Sequence, residues 1–404
     1  MSQAEPKIRW TLLGILLAAL WLLSKISGPE SLDAKTLAHP RNPSLEVRLQ
    51  KMAEGSRLEL DVIGLWELRS DSGELVAKGD GMRGWLSYSD RMVSVGGWQS
   101  KLDHLVLHTF GDAALILDTW RYRGNLHLRS KAAKNGQPRH LEIALKLPLE
   151  DYVLGVVTGE MATSKNGIQE ALQAQAIAAR SYAVFQIHSG RTQLSSTPSD
   201  QRFLPVDLET AAAREAVTKT MGQILRHDEK FVPAFFHADC GGATSNGTAS
   251  GFGHSDVLQA VLEPYSGSHA SNPHTWSKRV EAQRLDELAA DYDLGEYTTG
   301  LQILQRDEGG RVMQAKFTGT SGSHEVLGEE LRRLLQLPSA MIDLIGVLRD
   351  GSVILEGRGR GHGIGLCQVG AQALALQGRT CQQILGHYYP GASIELLTEP
   401  ISNP

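Results

Sequence analysis

One glutamate on the apolar side of a helix is placed to do acid–base chemistry. Glu160 follows Val157 and Val156 by three and four residues, and Val153 and Tyr152 by seven and eight. At helical period these positions form one stripe, so the carboxyl stands at the end of a buried face. A carboxyl in apolar surroundings keeps its proton to higher pH, which suits a general acid near neutrality. The same pattern also admits a frayed helix end, with Thr158 and Gly159 letting Glu160 turn to solvent.

A second group of chemical residues lies in Gly357-Arg-Gly-Arg-Gly-His-Gly-Ile-Gly365, where glycine takes every second position. An extended backbone would put Arg358, Arg360, His362 and Ile364 on one face and leave the other bare for close approach of a ligand or chain. The phase is not that of a dinucleotide or phosphate-binding loop. The third group is His237 and Cys240, two metal-type ligands before a Gly-Gly turn. They are half of a zinc site, to be completed from a distance by Cys367, His362 or His254. Three other readings stay open: Cys240 as a small core residue, a Cys240–Cys367 disulfide, or a Cys–His nucleophile pair (Cys240 with His237, or Cys367 with His362). Trp276 and the Tyr388–Tyr389 pair could stack on sugar rings or fill a core.

These groups need elements to hold them. Short alternating runs from about Leu45 to Leu147, separated by turns such as Asp71-Ser-Gly73, predict a β-rich region. Helical period begins after Pro148. Asn166-x-x-Gln169 has the form of a capping box opening an alanine-rich helix that ends before Gly190. A helix over 211–220, a hairpin at Asp228-Glu229, a helix, hairpin and helix over 281–340, a strand Val353–Glu356 and a final alanine-rich helix follow. The fold class is α+β: an N-terminal membrane anchor or signal segment, a β-rich N-terminal module, and a mixed α/β catalytic body with a groove.

Composition narrows the partners. Forty Lys+Arg against 45 Asp+Glu give a net charge of −5 over 404 residues, which disfavours a nucleic-acid binder. Three cysteines cannot make a disulfide framework. Trp10–Leu23 is a run of fourteen uncharged residues, seven of them Leu, behind Lys7 and Arg9. At ~1.5 Å per residue it spans about 21 Å, short for a bilayer core but long enough for a signal segment. No small-x-small cleavage site follows it, which favours an uncleaved anchor with the body extracytoplasmic, in a periplasm or wall space.

Several blocks then resemble one family, that of stage II sporulation protein D and the amidase enhancers. They are Leu147-Pro-Leu-Glu-Asp-Tyr-Val-Leu-Gly-Val-Val-Thr-Gly-Glu-Met161, Ala171-Leu-Gln-Ala-Gln-Ala-Ile-Ala-Ala-Arg-Ser-Tyr-Ala183, Thr220-Met-Gly-Gln-Ile-Leu225, His237-Ala-Asp-Cys-Gly-Gly-Ala-Thr244, Gly361-His-Gly-Ile-Gly-Leu-Cys-Gln-Val-Gly-Ala371 and Ile384-Leu-Gly-His-Tyr-Tyr-Pro-Gly391. The resemblance covers about 115–397 and implies a lytic transglycosylase of peptidoglycan glycan strands, often denuded ones. Glu160 then maps onto the catalytic acid/base, and His237 and Cys240 onto a region where some members bind structural zinc; no cofactor is required. Arg180, Tyr182, Arg358, Arg360, His362 and Gln368 are the candidate substrate contacts. Implied partners are glycan strands, the membrane through the N-terminal segment, and cell-wall amidases. The implied division is 1–30 anchor and tether, 31–44 linker, 45–114 β-rich module and 115–397 catalytic domain, with core blocks 147–260 and 341–397 around a middle subdomain 261–340. Ala162 and Lys165 stand where the family commonly has Pro and Trp, and Cys367 replaces a frequent Ser before Gln368. The alternatives are a non-catalytic glycan-binding module that enhances an amidase, and a zinc hydrolase built on His237 and Cys240.

Overall fold

In the computed structural model the described residues are 40–133, 139–247, 255–263 and 275–401. The 10–23 run and His254 lie outside them. Alternation in the sequence becomes one long sheet. In spatial order its strands are Leu194–Ser195, Ser44–Ala53, His140–Pro148, Asn125–Lys131, His104–Thr109, Arg57–Ser70, Leu75–Ser89, Met92–Val95 and Trp98–Ser100. Ala114–Leu117 and Trp120–Tyr122 branch from the first half of Arg57–Ser70, whose second half pairs with His104–Thr109. Apart from the parallel Ser44–Ala53/Leu194–Ser195 pair, neighbours run antiparallel. The sheet therefore runs unbroken through residue 114 to Pro148.

Pro148 ends the sheet and caps helix α1 (Leu149–Glu160) in one step. Its fixed φ and missing N–H suit a helix start, where no intrahelical acceptor exists. The apolar stripe Leu149, Tyr152, Val153, Val156 and Val157 is fully buried. Helix α2 (Gln169–His188) lies at the centre of the helical layer. It packs on α1, on α3 (Ala211–Lys219), on α6 (Gln368–Leu376), on α7 (Cys381–Tyr388) and on the strand Gln223–His227. Alanines at 171, 174, 176, 178, 179 and 183 are what allow so many elements to approach one helix.

Three local expectations change. The capping box at Asn166 does not form: Gly167 turns the chain at φ +78°, so Ile168 takes the N-cap position without a side-chain bond. The final alanine-rich helix is two helices, broken after Gly378 and restarted by a real capping box between Thr380 and Gln383. The glycine-rich segment is not a strand. Extended structure ends at Arg358, and Gly359, Gly361, Gly363 and Gly365 all have positive φ. Alternating left-handed glycines coil the segment, so Arg360 is exposed while Ile364 is buried.

A second core gathers Val280, Leu285, Leu288, Phe317, Leu331, Ile342 and Leu355. It joins the sheet Thr275–Val280, Val353–Arg358, Ile342–Val347 and the sheet Thr298–Arg306, Val312–Gly319, Ser323–Leu327, with α4 (Ala282–Asp291) and α5 (Gly328–Leu334). The glycine segment leads from that core back to the first, where Leu366–Cys367 pairs in parallel with Phe236–His237.

Inside the first core Arg180 is fully buried, and its Nε and Nη2 bond both carboxylate oxygens of Glu150 at 2.9 and 2.6 Å. Its Nη1 donates to the carbonyl of Gln223, and Glu150 also accepts from Gly222 N–H. This pair ties α1, α2 and the start of the 223–227 strand together. Arg180→Met would strand the Glu150 charge, so we expect a loss of about 3–5 kcal/mol of unfolding free energy in urea titration. A loss under 1 kcal/mol would contradict a structural role for the pair.

Candidate active site

The surroundings of Glu160 are built by a segment without regular structure. Residues 200–204 cross α1 where Gly155 and Gly159 leave room. A β-carbon at 159 would stand 2.3 Å from the Arg202 carbonyl, and one at 155 would stand 2.4 Å from the Phe203 ring. The segment is fastened at every residue. Asp200 takes an ion pair from Arg191 and a hydrogen bond from Tyr182 Oη at 2.9 Å. Gln201 accepts from Tyr152 Oη at 2.9 Å, Phe203 stacks on the Tyr152 ring, and Leu204 N–H donates to the Gly155 carbonyl at 3.1 Å. The outcome is that Arg202 N–H points at Glu160 and donates to Oε1 at 2.5 Å. On the other oxygen, Gln368 Nε2 reaches Oε2 at 3.5 Å.

Burial pushes the Glu160 carboxyl above the ordinary value of 4.5, against the opposing pull of the Arg202 N–H and the Gln368 amide. The helix C-terminus acts in the same direction as burial, because its dipole presents negative charge to the carboxylate. The carboxyl is half-buried rather than sealed. It can hold a proton and still meet a solute.

The second constellation is the buried trio His237, Cys240 and Cys367, whose ligand atoms lie within 4.8 Å of one another. Its orientation is that of a metal-binding histidine. With Nδ1–H given to the Ile364 carbonyl at 3.1 Å, Nε2 keeps its lone pair, buried and without a hydrogen-bond partner. Backbone N–H groups of Cys240 and Gly370 point at the Cys367 sulfur at 3.3 and 3.4 Å, and that of Gly242 at the Cys240 sulfur at 3.4 Å. One imidazole and two thiols are ligands that zinc takes, and they would supply three of the four positions of a tetrahedral site. Both cysteines are free thiols, so the disulfide alternative is not what the structure holds. Each is wholly buried, and burial raises the Cys367 thiol well above its ordinary value. A thiolate nucleophile is the wrong role for it.

Arg311 closes this region. Its buried guanidinium donates to the Cys240 carbonyl at 2.8 Å and packs on Gly363, where a β-carbon would fall 2.3 Å from its Cζ. With φ at +84°, the position favours glycine on backbone grounds as well.

The sequence candidates divide. Glu160 and Gln368 come together. Arg180 belongs to the core ion pair, which leaves it no face for a substrate. Tyr182 is buried, bonded to Asp200 and packed edge-on against Phe235, whose ring meets His362. His362 lies against His237, accepts from Ile364 N–H at 3.1 Å, and is held neutral by burial down to about 4. Arg358 Nε faces Asp343 at 3.2 Å, and the left-handed Gly359 and Gly361 break the extended backbone that would have put Arg358, Arg360 and His362 on one face. Tyr388 and Tyr389 are core residues, not stacking platforms. Trp276 donates from its ring N–H to Ser339 Oγ at 3.2 Å. Gln175, Asp200, Arg202 and Arg311 went unread, because each acts through a contact distant in sequence.

Comparison with known proteins bears on what this geometry serves. Residues 137–227 match the stage II sporulation protein family model, and residues 248–365 match a domain of unknown function. Stage II sporulation protein D of Bacillus amyloliquefaciens is 30% identical over 272 residues, 61% of this chain and 74% of the relative. The chain belongs to the stage II sporulation protein D family. The Bacillus subtilis protein of that name is 29% identical over the same shares, and the amidase enhancer of Bacillus subtilis is 24% identical over 59% of this chain and 40% of its own length. Within the family match lie Glu160, Gln175 and Arg202, three of the residues that build the carboxyl's environment.

A carboxyl whose folded pKa is raised favours the folded state while protonated, and that contribution is lost as pH rises through the folded pKa. Glu160→Gln should therefore melt higher than the parent at about pH 8 and equally at about pH 4. Equal melting at both would contradict the buried environment.

Proposed function

We propose that this protein is a peptidoglycan lytic transglycosylase that cleaves the bond between N-acetylmuramic acid and N-acetylglucosamine in denuded glycan strands. The observation that carries the reading is a single desolvated carboxyl, held at one oxygen by a backbone N–H, in a block shared with the family. Protonated Glu160 donates to the glycosidic oxygen as the C1–O4 bond breaks. Charge building at C1 is met by the muramic 6-hydroxyl, which forms the O6–C1 bond and returns its proton to the Glu160 carboxylate. No water is consumed, and the product carries a 1,6-anhydro end. A hydrolase of the usual kind needs two carboxylates. The proposed reaction needs only one, because the muramic 6-hydroxyl takes the place of the second carboxylate or of water.

The substrate is anchored in this reading by side chains rather than by net charge, and Arg360 is an exposed cation of the coiled glycine segment. The body works outside the membrane, attached through the 10–23 segment. Among the described residues no helix is long and apolar enough to cross a membrane. We further propose that His237, Cys240 and Cys367 hold a structural zinc. When bound, it would tie the Phe236–His237 strand to Leu366–Cys367, one residue before Gln368.

Glu160→Gln should lower the release of anhydro ends from purified denuded glycan by at least about 10²-fold, as loss of a general acid does. Mass spectrometry of the digest reads it. An unchanged yield would refute the catalytic assignment, and a parent protein that binds glycan but releases nothing would favour the amidase-enhancing module. Metal analysis of the purified protein should find one zinc per chain, lost in Cys367→Ser along with thermal stability. A metal-free protein of unchanged stability would refute the zinc proposal.

A further inference from the structure

Gln175 and Gln368 are both buried carboxamides, one at the centre of α2 and one opening α6. Gln368 Nε2 lies 3.3 Å from Gln175 Oε1 and 3.5 Å from Glu160 Oε2, so one NH2 group serves two acceptors with its two protons. Each carboxamide has an accepting end and a donating end, and only one arrangement avoids opposing two oxygens when Glu160 is charged. Gln175 is wholly buried and its own Nε2 has no hydrogen-bond partner. An unmet buried donor costs about 1–3 kcal/mol. Such a cost persists where the other end of the group is needed.

We propose that Gln175 is a positioning residue: it fixes the Gln368 carboxamide with its NH2 group, not its oxygen, turned to Oε2 of Glu160. The inference rests on the reading of Glu160 as the proton-transfer group. Arg202 N–H occupies Oε1 at 2.5 Å, which leaves Oε2 as the oxygen that carries the proton. The Gln368 NH2 group, 3.5 Å from Oε2, is the side-chain donor that would stabilise this oxygen once its proton has left. That deprotonated state must last until the 6-hydroxyl attacks. Arg202 brings both its backbone N–H and its charge to Glu160, and Glu160 in turn acts on the buried Tyr152 hydroxyl.

The test titrates the Glu160 carboxyl directly by carbon NMR, which needs no activity. Gln175→Met, near in volume but without an acceptor, should raise the midpoint by about one unit, the size expected for a weakened hydrogen bond to a charged group. It should also lower kcat about ten-fold with KM little changed, and add nothing further in a Gln368→Met background. An unmoved midpoint, or an equal loss in both backgrounds, would overturn the proposal. Gln368→Met alone gives a second reading should Gln175→Met fail to fold: it removes the same donor and must raise the midpoint as far. If it does not, the proposal falls. The proton-transfer reading fails separately, by an active Glu160→Gln.

Discussion

The carbonyl of Arg202 lies where a side chain at position 159 would begin, and the Phe203 ring lies where one at position 155 would begin. Two glycines one turn apart in α1 therefore give up helix propensity, about 1 kcal/mol each, so that another stretch of chain can lie against the backbone. Everything distinctive about Glu160 depends on that approach. It desolvates the carboxyl, aims a backbone N–H at one oxygen, and stacks Phe203 on Tyr152 to keep the segment down. The Arg180–Glu150 pair holds α1 and α2 in register beneath it, and α2 in turn supplies Gln175.

Two centres meet at one turn of chain. Cys367 belongs to the buried His/Cys trio and caps α6 with its sulfur, while the next residue, Gln368, reaches Glu160. The glycine segment that leads into this turn is coiled tightly enough for Arg311, from the second core's hairpin, to pack on Gly363. The alternation of glycine and chemistry-bearing residues is thus a joint between two cores, not a ligand-lining strand.

Much of this was legible before the structure. The period-two runs became the sheet, the helical stripe ended at Glu160, and the block pattern identified the family. The failures share a cause. Alternating glycine has the same period as a strand, yet glycine also tolerates positive φ, so periodicity alone could not separate a strand from a coil of left-handed turns. Arg180 looked like a polar ligand because sequence does not show that Glu150, thirty residues away, would bury beside it. Arg202 contributes a backbone N–H, and a backbone donor leaves no mark in residue type. Gln175 sits among alanines, where its amide had no visible partner until α6 was folded against α2.

The central claim is that one carboxyl serves as acid and then base while the sugar's own 6-hydroxyl takes the place of water. Digestion of denuded glycan in ¹⁸O-water tests that step most directly. The account predicts products with 1,6-anhydro ends and no ¹⁸O incorporated at the new terminus. Reducing ends carrying ¹⁸O would show that water attacks, and would contradict it.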